Sequence, residues 1–305
     1  MKRSFACLLI LPVVWGCYYV ASNLAVEQMS VFAVGIVIRL TTLVLLTAIM
    51  VLRRQLRDLF RIKYVWKKLL LIGVMGFLLD STAFLGLTMC PAGIGTIILK
   101  TDIIFVNVIS VVLYHYRFQI RDWILTILML MGIVLVLGID FENVDMGGAG
   151  NLFFVASALF VSINAFIIKS AQHDSRNPVS DNVVAYYNNL VTLILFTITA
   201  FFRGDLEQLS GIGRHRDLVE ALAVASVGQT LIYLFYYYNL RRFPVWIVKV
   251  FLLFVPIVAA VIGFALFDEK LGTLQLLGMA VVLSCAGGIV WGQRESLNNS
   301  QEKEV

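Results

Sequence analysis

Charged side chains are scarce in this sequence. Of its 305 residues 19 are acidic and 24 basic, 14% in all, where a soluble domain carries about 25%. That shortage, beside 60% hydrophobic residues and a mean hydropathy of +0.89, excludes an ordinary globular enzyme and a disordered chain alike. Histidine occurs three times and cysteine four times, and Cys7, Cys17, Cys90 and Cys285 lack the paired spacing of a zinc site or a disulfide framework. They read as small apolar residues, and no metal or cofactor is expected. The sequence holds no GxxxxGK[ST], no His-Glu-x-x-His and no Gly-x-Ser-x-Gly, which removes a resident nucleotide motor and two common hydrolase sites. Long polar stretches are missing too. The longest connections, 53–68 and 203–217, leave no room for an extramembrane domain, so any chemistry lies between helices.

Long hydrophobic runs fill the chain instead. A bilayer core needs about 20 apolar residues per spanning helix, and ten windows qualify: Phe5–Val26, Val31–Leu52, Leu69–Thr88, Ala92–Tyr114, Trp123–Ile139, Asn151–Ile168, Val183–Phe202, Leu218–Leu240, Val245–Phe267 and Thr273–Trp291. The fold class expected is an all-α polytopic membrane protein. With the N-terminus cytoplasmic, 17 of the 24 bases fall in cytoplasmic segments and four in the opposite loops, which predicts both termini inside. Arg53, Arg54, Arg57, Arg61, Lys63, Lys67 and Lys68 share one cytoplasmic loop, whereas the 140–150 turn carries Asp140, Glu142 and Asp145 and no base. Lipid headgroups of the plasma or inner membrane, and not nucleic acid, are the neighbours that such a face selects. Lys2 and Arg3 precede a stretch too long for a signal peptide and without a small-residue cleavage site, so the first helix is expected to stay.

A shift of 153 residues lays Pro91 on Pro244, Leu99 on Leu252, Leu113 on Leu266 and Arg117 on Lys270 without a gap. The chain then divides into 5–139 and 151–292, five spans each, with a polar cytoplasmic tail at 293–305. An odd number of spans per half inverts the second half relative to the first, a transporter signature. The second half contains Leu253-Phe254-Val255-Pro256-Ile257-Val258-Ala259-Ala260, then Asp268-Glu269-Lys270-Leu271, then Gln275 and Gly278, and ends in Gly287-Gly288. Together with Trp15-Gly16 in the first span, these residues resemble the EamA-type family of the drug/metabolite transporter superfamily. The resemblance implies a ten-helix carrier, an inverted five-plus-five repeat around a central cavity open alternately to each side. In the first half Tyr116 stands where the family turn has glutamate, and Ile103 where the mid-helix proline falls.

A charge deep in a span faces a cavity or a partner, and five qualify: Arg39, Asp80, Lys100, Asp102 and Lys249. Asp80 and Lys100 lie at similar depth on consecutive antiparallel spans and are expected to neutralise each other, unless Asp80 exchanges that pairing for a proton or an amine. Arg39 then becomes the best unpaired cation for a solute carboxylate, the alternative being an ion pair that locks two helices. Asp80 and Asp102 are the proton-coupling candidates, and a continuous helix would turn Asp102 away from Lys100. Lys249, five residues into its span, either snorkels to the surface or joins the site. Trp15, Tyr18, Gln229 and Tyr233 are the aromatic and polar substrate-binding candidates, while Tyr186, Tyr187, Tyr236, Tyr237 and Tyr238 read as interfacial belts. Pro256 is the candidate hinge.

The function expected is secondary transport, in the export direction, of a small amphipathic metabolite such as an amino acid or another carboxylate-bearing solute, coupled to protons or to exchange. An organic-cation or drug exporter of the same superfamily is the alternative, and an intramembrane enzyme or a channel a more remote one. Gly288-x-x-x-Gly292 offers a close helix contact, so the protein is expected as a monomer or a homodimer.

Overall fold

The computed structural model describes residues 2–87, 89, 92–138, 149–214, 216–266 and 271–302, and among these there is no strand. The helices are α1 (Lys2–Val26), α2 (Val31–Leu52), α3 (Trp66–Leu87), α4 (Ala92–Lys100), α5 (Asp102–Tyr114), α6 (Ile120–Leu137), α7 (Ala149–Gln172), α8 (Asp181–Arg203), α9 (Arg216–Arg242), α10 (Val245–Leu252), α11 (Val255–Leu266) and α12 (Thr273–Glu302). Short 3-10 turns occupy Leu56–Phe60 and Asp205–Arg214. Counting α4–α5 and α10–α11 as one crossing each, nine helices among the described residues are long and apolar enough to cross a membrane. The chain is a multi-pass membrane protein. Helix α3 is as long as its neighbours but carries Lys67, Lys68 and Asp80, and stands outside that count. The expected acidic turn at 140–150 and the Asp268-Glu269-Lys270 turn fall largely or wholly outside the described residues, as do Pro91 and Cys90.

The principal packing pairs are α3 on α7, α1 on α9, α6 on α12 and α2 on α8. Glycines allow close approach: a Cβ on Gly228 of α9 would stand 3.0 Å from the Cβ of Tyr18 in α1, and a Cβ on Gly278 of α12 would meet the carbonyl oxygen of Gly132 in α6 at 2.5 Å. Outward-facing apolar side chains such as Val44, Leu52 and Phe202 suit acyl chains. Gly288 and Gly292 face α6. Arg121 of α6 lies against Gly292 and donates to the Gly288 carbonyl at 3.3 Å, so this glycine pair serves a contact within the chain.

The 153-residue shift reappears in the backbone. It carries the first residues of α4, α5 and α6 (92, 102 and 120) onto those of α10, α11 and α12 (245, 255 and 273). Both spans expected to be continuous are broken at equivalent points, by different chemistry. Before α11, Pro256 lacks the N–H that would bond Leu252, and the chain closes with tight turns from Leu253 to Val250 and from Phe254 to Phe251. Before α5 there is no proline. The Thr101 hydroxyl instead bonds back to the Ile98 carbonyl at 2.6 Å, and buried Ser162 of α7 donates to the Asp102 carbonyl at 2.9 Å. The following helices start alike as well: Gln119 N–H donates to Asp122 at 3.1 Å, and Gly272 N–H to Gln275 at 2.8 Å. Gln275 also donates to the Val136 carbonyl at the end of α6. The polar tail beyond Gly292 continues α12 as helix to Glu302.

Candidate functional site

The charges deep in the spans gather at two places. In the first, Arg39 of α2 forms an ion pair with Asp80 of α3 and donates from its other terminal nitrogen to the Tyr233 hydroxyl of α9 at 3.2 Å. Its guanidinium also lies 4.8 Å from the ring centre of Phe196 in α8, so four helices meet on one side chain. Asn189 fixes the backbone there by donating to the Arg39 carbonyl at 2.7 Å. Tyr18 stands within electrostatic reach of Arg39, Asp80 and Tyr233, and Gln229 adjoins Tyr233 one turn away on α9.

The second cluster joins the two helix breaks. Lys249, 3% exposed, donates to the carboxylate of Asp102 at 2.6 Å, which links α10 to the first residue of α5. Lys100, across the α4–α5 break, lies within electrostatic reach of both. Tyr236 adjoins the Lys249–Asp102 pair, and Trp15 meets Tyr236 edge-on at 5.6 Å. An aromatic run connects the clusters: Tyr233 stacks on Tyr237 at 5.5 Å, and Tyr237 contacts Tyr236 at 5.8 Å. Asn188 holds the Tyr237 hydroxyl at 2.5 Å.

Several expectations change here. Asp80 pairs with Arg39 and not with Lys100, so Arg39 is not an unpaired cation. The break at Thr101 ends the helical phase that would have turned Asp102 and Lys100 apart, and Asp102 is taken by Lys249, a residue 147 positions away. Lys249 does not snorkel. Tyr236 and Tyr237, read as interfacial, are 7% and 1% exposed and line the core, whereas Tyr187 does reach a loop, donating to the Leu59 carbonyl at 2.8 Å. The recurrence of 229, 233, 236 and 237 on one face of α9 was the signal for this inner stripe. Trp15, Tyr18, Gln229 and Tyr233 all fall at the two clusters, and Pro256 sits in the first turn after the α10–α11 break. Tyr19 and Asn23, on the same helix as Trp15 and Tyr18, are exposed.

A third polar network closes the end of the bundle where α3 begins and α7 ends. Lys68 donates to Asp174 at 2.7 Å and to Ser170, and Arg241 binds Asp181 at 2.5 Å and the Gln172 and Val179 carbonyls. The Lys68 ammonium, helped by the Arg176 and Asn177 N–H groups, holds the Asp174 carboxyl down at about 2. A separate groove of about 340 Å³, between Phe251, Phe254, Leu283, Gly287 and Trp291, is apolar and contains none of the charged residues.

The profile of the EamA-like transporter family matches the chain twice, over residues 3–138 and 148–291. No curated protein matches the sequence. Among solved structures, one described only as a crystal structure of a protein superposes with a TM-score of 0.79, over 97% of this chain and 99% of that one, at 15% identity. That likeness establishes the shared fold.

Proposed function

Because the chain belongs to the EamA-like transporter family, within the drug/metabolite transporter superfamily, we propose that it is a secondary carrier that exports a small amphipathic solute bearing a carboxylate, by alternating access and coupled to protons or to exchange. The observation that carries this reading is the Lys249–Asp102 pair, which ties the broken helix of one repeat to the broken helix of the other. Interrupted membrane helices meeting at buried charges are the usual way a carrier builds a solute site.

Ten spans, an inverted arrangement and cytoplasmic termini complete the proposal. Reciprocal contacts between the repeats support a two-fold relation, and five spans in each repeat would make that relation an inversion. Helix α3 packs on α7 as α9 packs on α1, and α3 on α8 as α9 on α2. Pro256 and Thr101 would then be the hinges about which the half-helices move. The monomer is the working unit of the proposal, since Gly288 and Gly292 already have a partner in α6. Asp80 and Asp102 are both held by bases, so an organic cation finds neither deep acid free among the described residues.

Counterflow in proteoliposomes tests the carrier reading. Liposomes preloaded with unlabelled solute should accumulate the labelled form transiently, the signature of exchange through a carrier. Uptake that is indifferent to internal solute would indicate a pore instead.

A further inference from the structure

The five charges deep in the spans do not balance. Arg39 cancels Asp80 and Lys249 cancels Asp102, which leaves Lys100. Among the described residues Lys100 makes no hydrogen bond and no ion pair, although both other charges of its cluster are close enough to act on it. Its side chain is partly buried at the end of α4. The carbonyl end of that short helix supplies only partial negative charge, and Thr101 already uses its Ile98 carbonyl. Lys100 is therefore the one deep base without an ion-pair partner among the described residues, at a helix break in a low-dielectric interior, where an uncompensated ion is costly.

We infer that Lys100 anchors the carboxylate of the transported solute and that the site selects a net monoanion. A carboxylate oxygen accepting from the Lys100 ammonium brings the cluster to neutrality and leaves the Lys249–Asp102 pair intact. An amino acid zwitterion adds as much positive as negative charge and leaves the excess in place; an amine doubles it. Tyr236, beside the pair, and Trp15, edge-on to Tyr236, give an aromatic or alkyl body a surface to pack against. The inference rests on the carrier reading and narrows it from carboxylate-bearing solutes in general to monocarboxylates without an ammonium group.

Three probes of matched shape separate the cases: 3-phenylpropionate, phenylalanine and phenethylamine, with net charges of −1, 0 and +1 at neutral pH. Thermal shifts of the purified full chain and counterflow in liposomes are measured with each. The expected result is stabilisation and counterflow with 3-phenylpropionate, at an affinity at least about tenfold above the other two. Lys100→Gln should lose that binding by a similar factor and yet raise the melting temperature of the ligand-free protein by a few degrees, because it removes an uncompensated charge. Lys100→Arg, which keeps the charge, should retain binding within a few-fold. Equal or stronger binding of phenylalanine or phenethylamine, no binding by any of the three, unchanged binding in Lys100→Gln, or a ligand-free melting temperature that stays level or falls in that variant would each overturn the inference. Binding that needs Lys100 but gives no counterflow would reject the carrier reading and leave the site standing. Counterflow of phenylalanine that ignores Lys100 would do the reverse.

Discussion

Lys249 donates to Asp102 at 2.6 Å, so a base from the second repeat holds an acid at the helix break of the first. Lys100 is near enough to act on both groups but bonds to neither. Lys249→Gln leaves a buried carboxylate and Asp102→Asn a buried ammonium, each expected to cost about 3–5 kcal/mol. The double variant removes both charges and should recover most of that loss. Unfolding of the four proteins in detergent measures the coupling, and additive losses would mean that the pair is not direct.

Arg39 is held by three groups, and its variants should grade accordingly. Tyr233→Phe removes one hydrogen bond and should cost about 1–2 kcal/mol. Arg39→Lys keeps the charge but loses the fork that reaches Asp80 and Tyr233 together, and should fall between Tyr233→Phe and Arg39→Gln in thermal stability. Stability of Arg39→Lys equal to the parent would show that the fork is idle.

Two glycines of α12 should behave oppositely. A Cβ at Gly278 meets backbone of α6 at 2.5 Å, whereas nothing lies within 4 Å of one at Gly287. Gly278→Ala should destabilise by about 1–3 kcal/mol through forced separation of the helices. Gly287→Ala should be neutral or gain up to about 1 kcal/mol from helix propensity. Melting temperatures in one detergent suffice for the comparison.

Acid should loosen the polar network beside α3. Asp174 titrates at about 2 in the folded protein, below the ordinary aspartate value near 4, so its stabilising effect is complete above about pH 4 and is lost as the pH falls towards 2. Lys68→Met should flatten this part of the stability profile between pH 5 and 2 while leaving carboxylates elsewhere unchanged. A profile unaltered in Lys68→Met would place the acid sensitivity at another group.

The proposed orientation rests on the loop charges. In a background with the four native cysteines replaced, Asp145→Cys should react with an impermeant thiol reagent added outside intact cells, and Asp58→Cys only after permeabilisation. The opposite pattern would invert the proposed topology.

Composition and periodicity alone settled that the chain crosses a membrane many times, because burying some 60% apolar residues leaves a bilayer as their solvent. The 153-residue shift was legible for the same reason. Equivalent spans need equivalent ends, and the paired Pro91 and Pro244 and the paired Arg117 and Lys270 mark those ends by local chemistry. Local chemistry did not mark the break at Thr101, where a hydroxyl bond and a donor from α7 replace the proline of the other half. Nor did it decide which charges pair. Asp80 is near Lys100 in sequence, but a carboxylate pairs with the base that packing brings within hydrogen-bond reach, and helix crossings set that distance. Those crossings put Arg39 beside Asp80 and carried Lys249 to Asp102, so the sequence placed five charges within the spans, and the tertiary structure alone decided that Lys100 is the one of them without an ion-pair partner among the described residues.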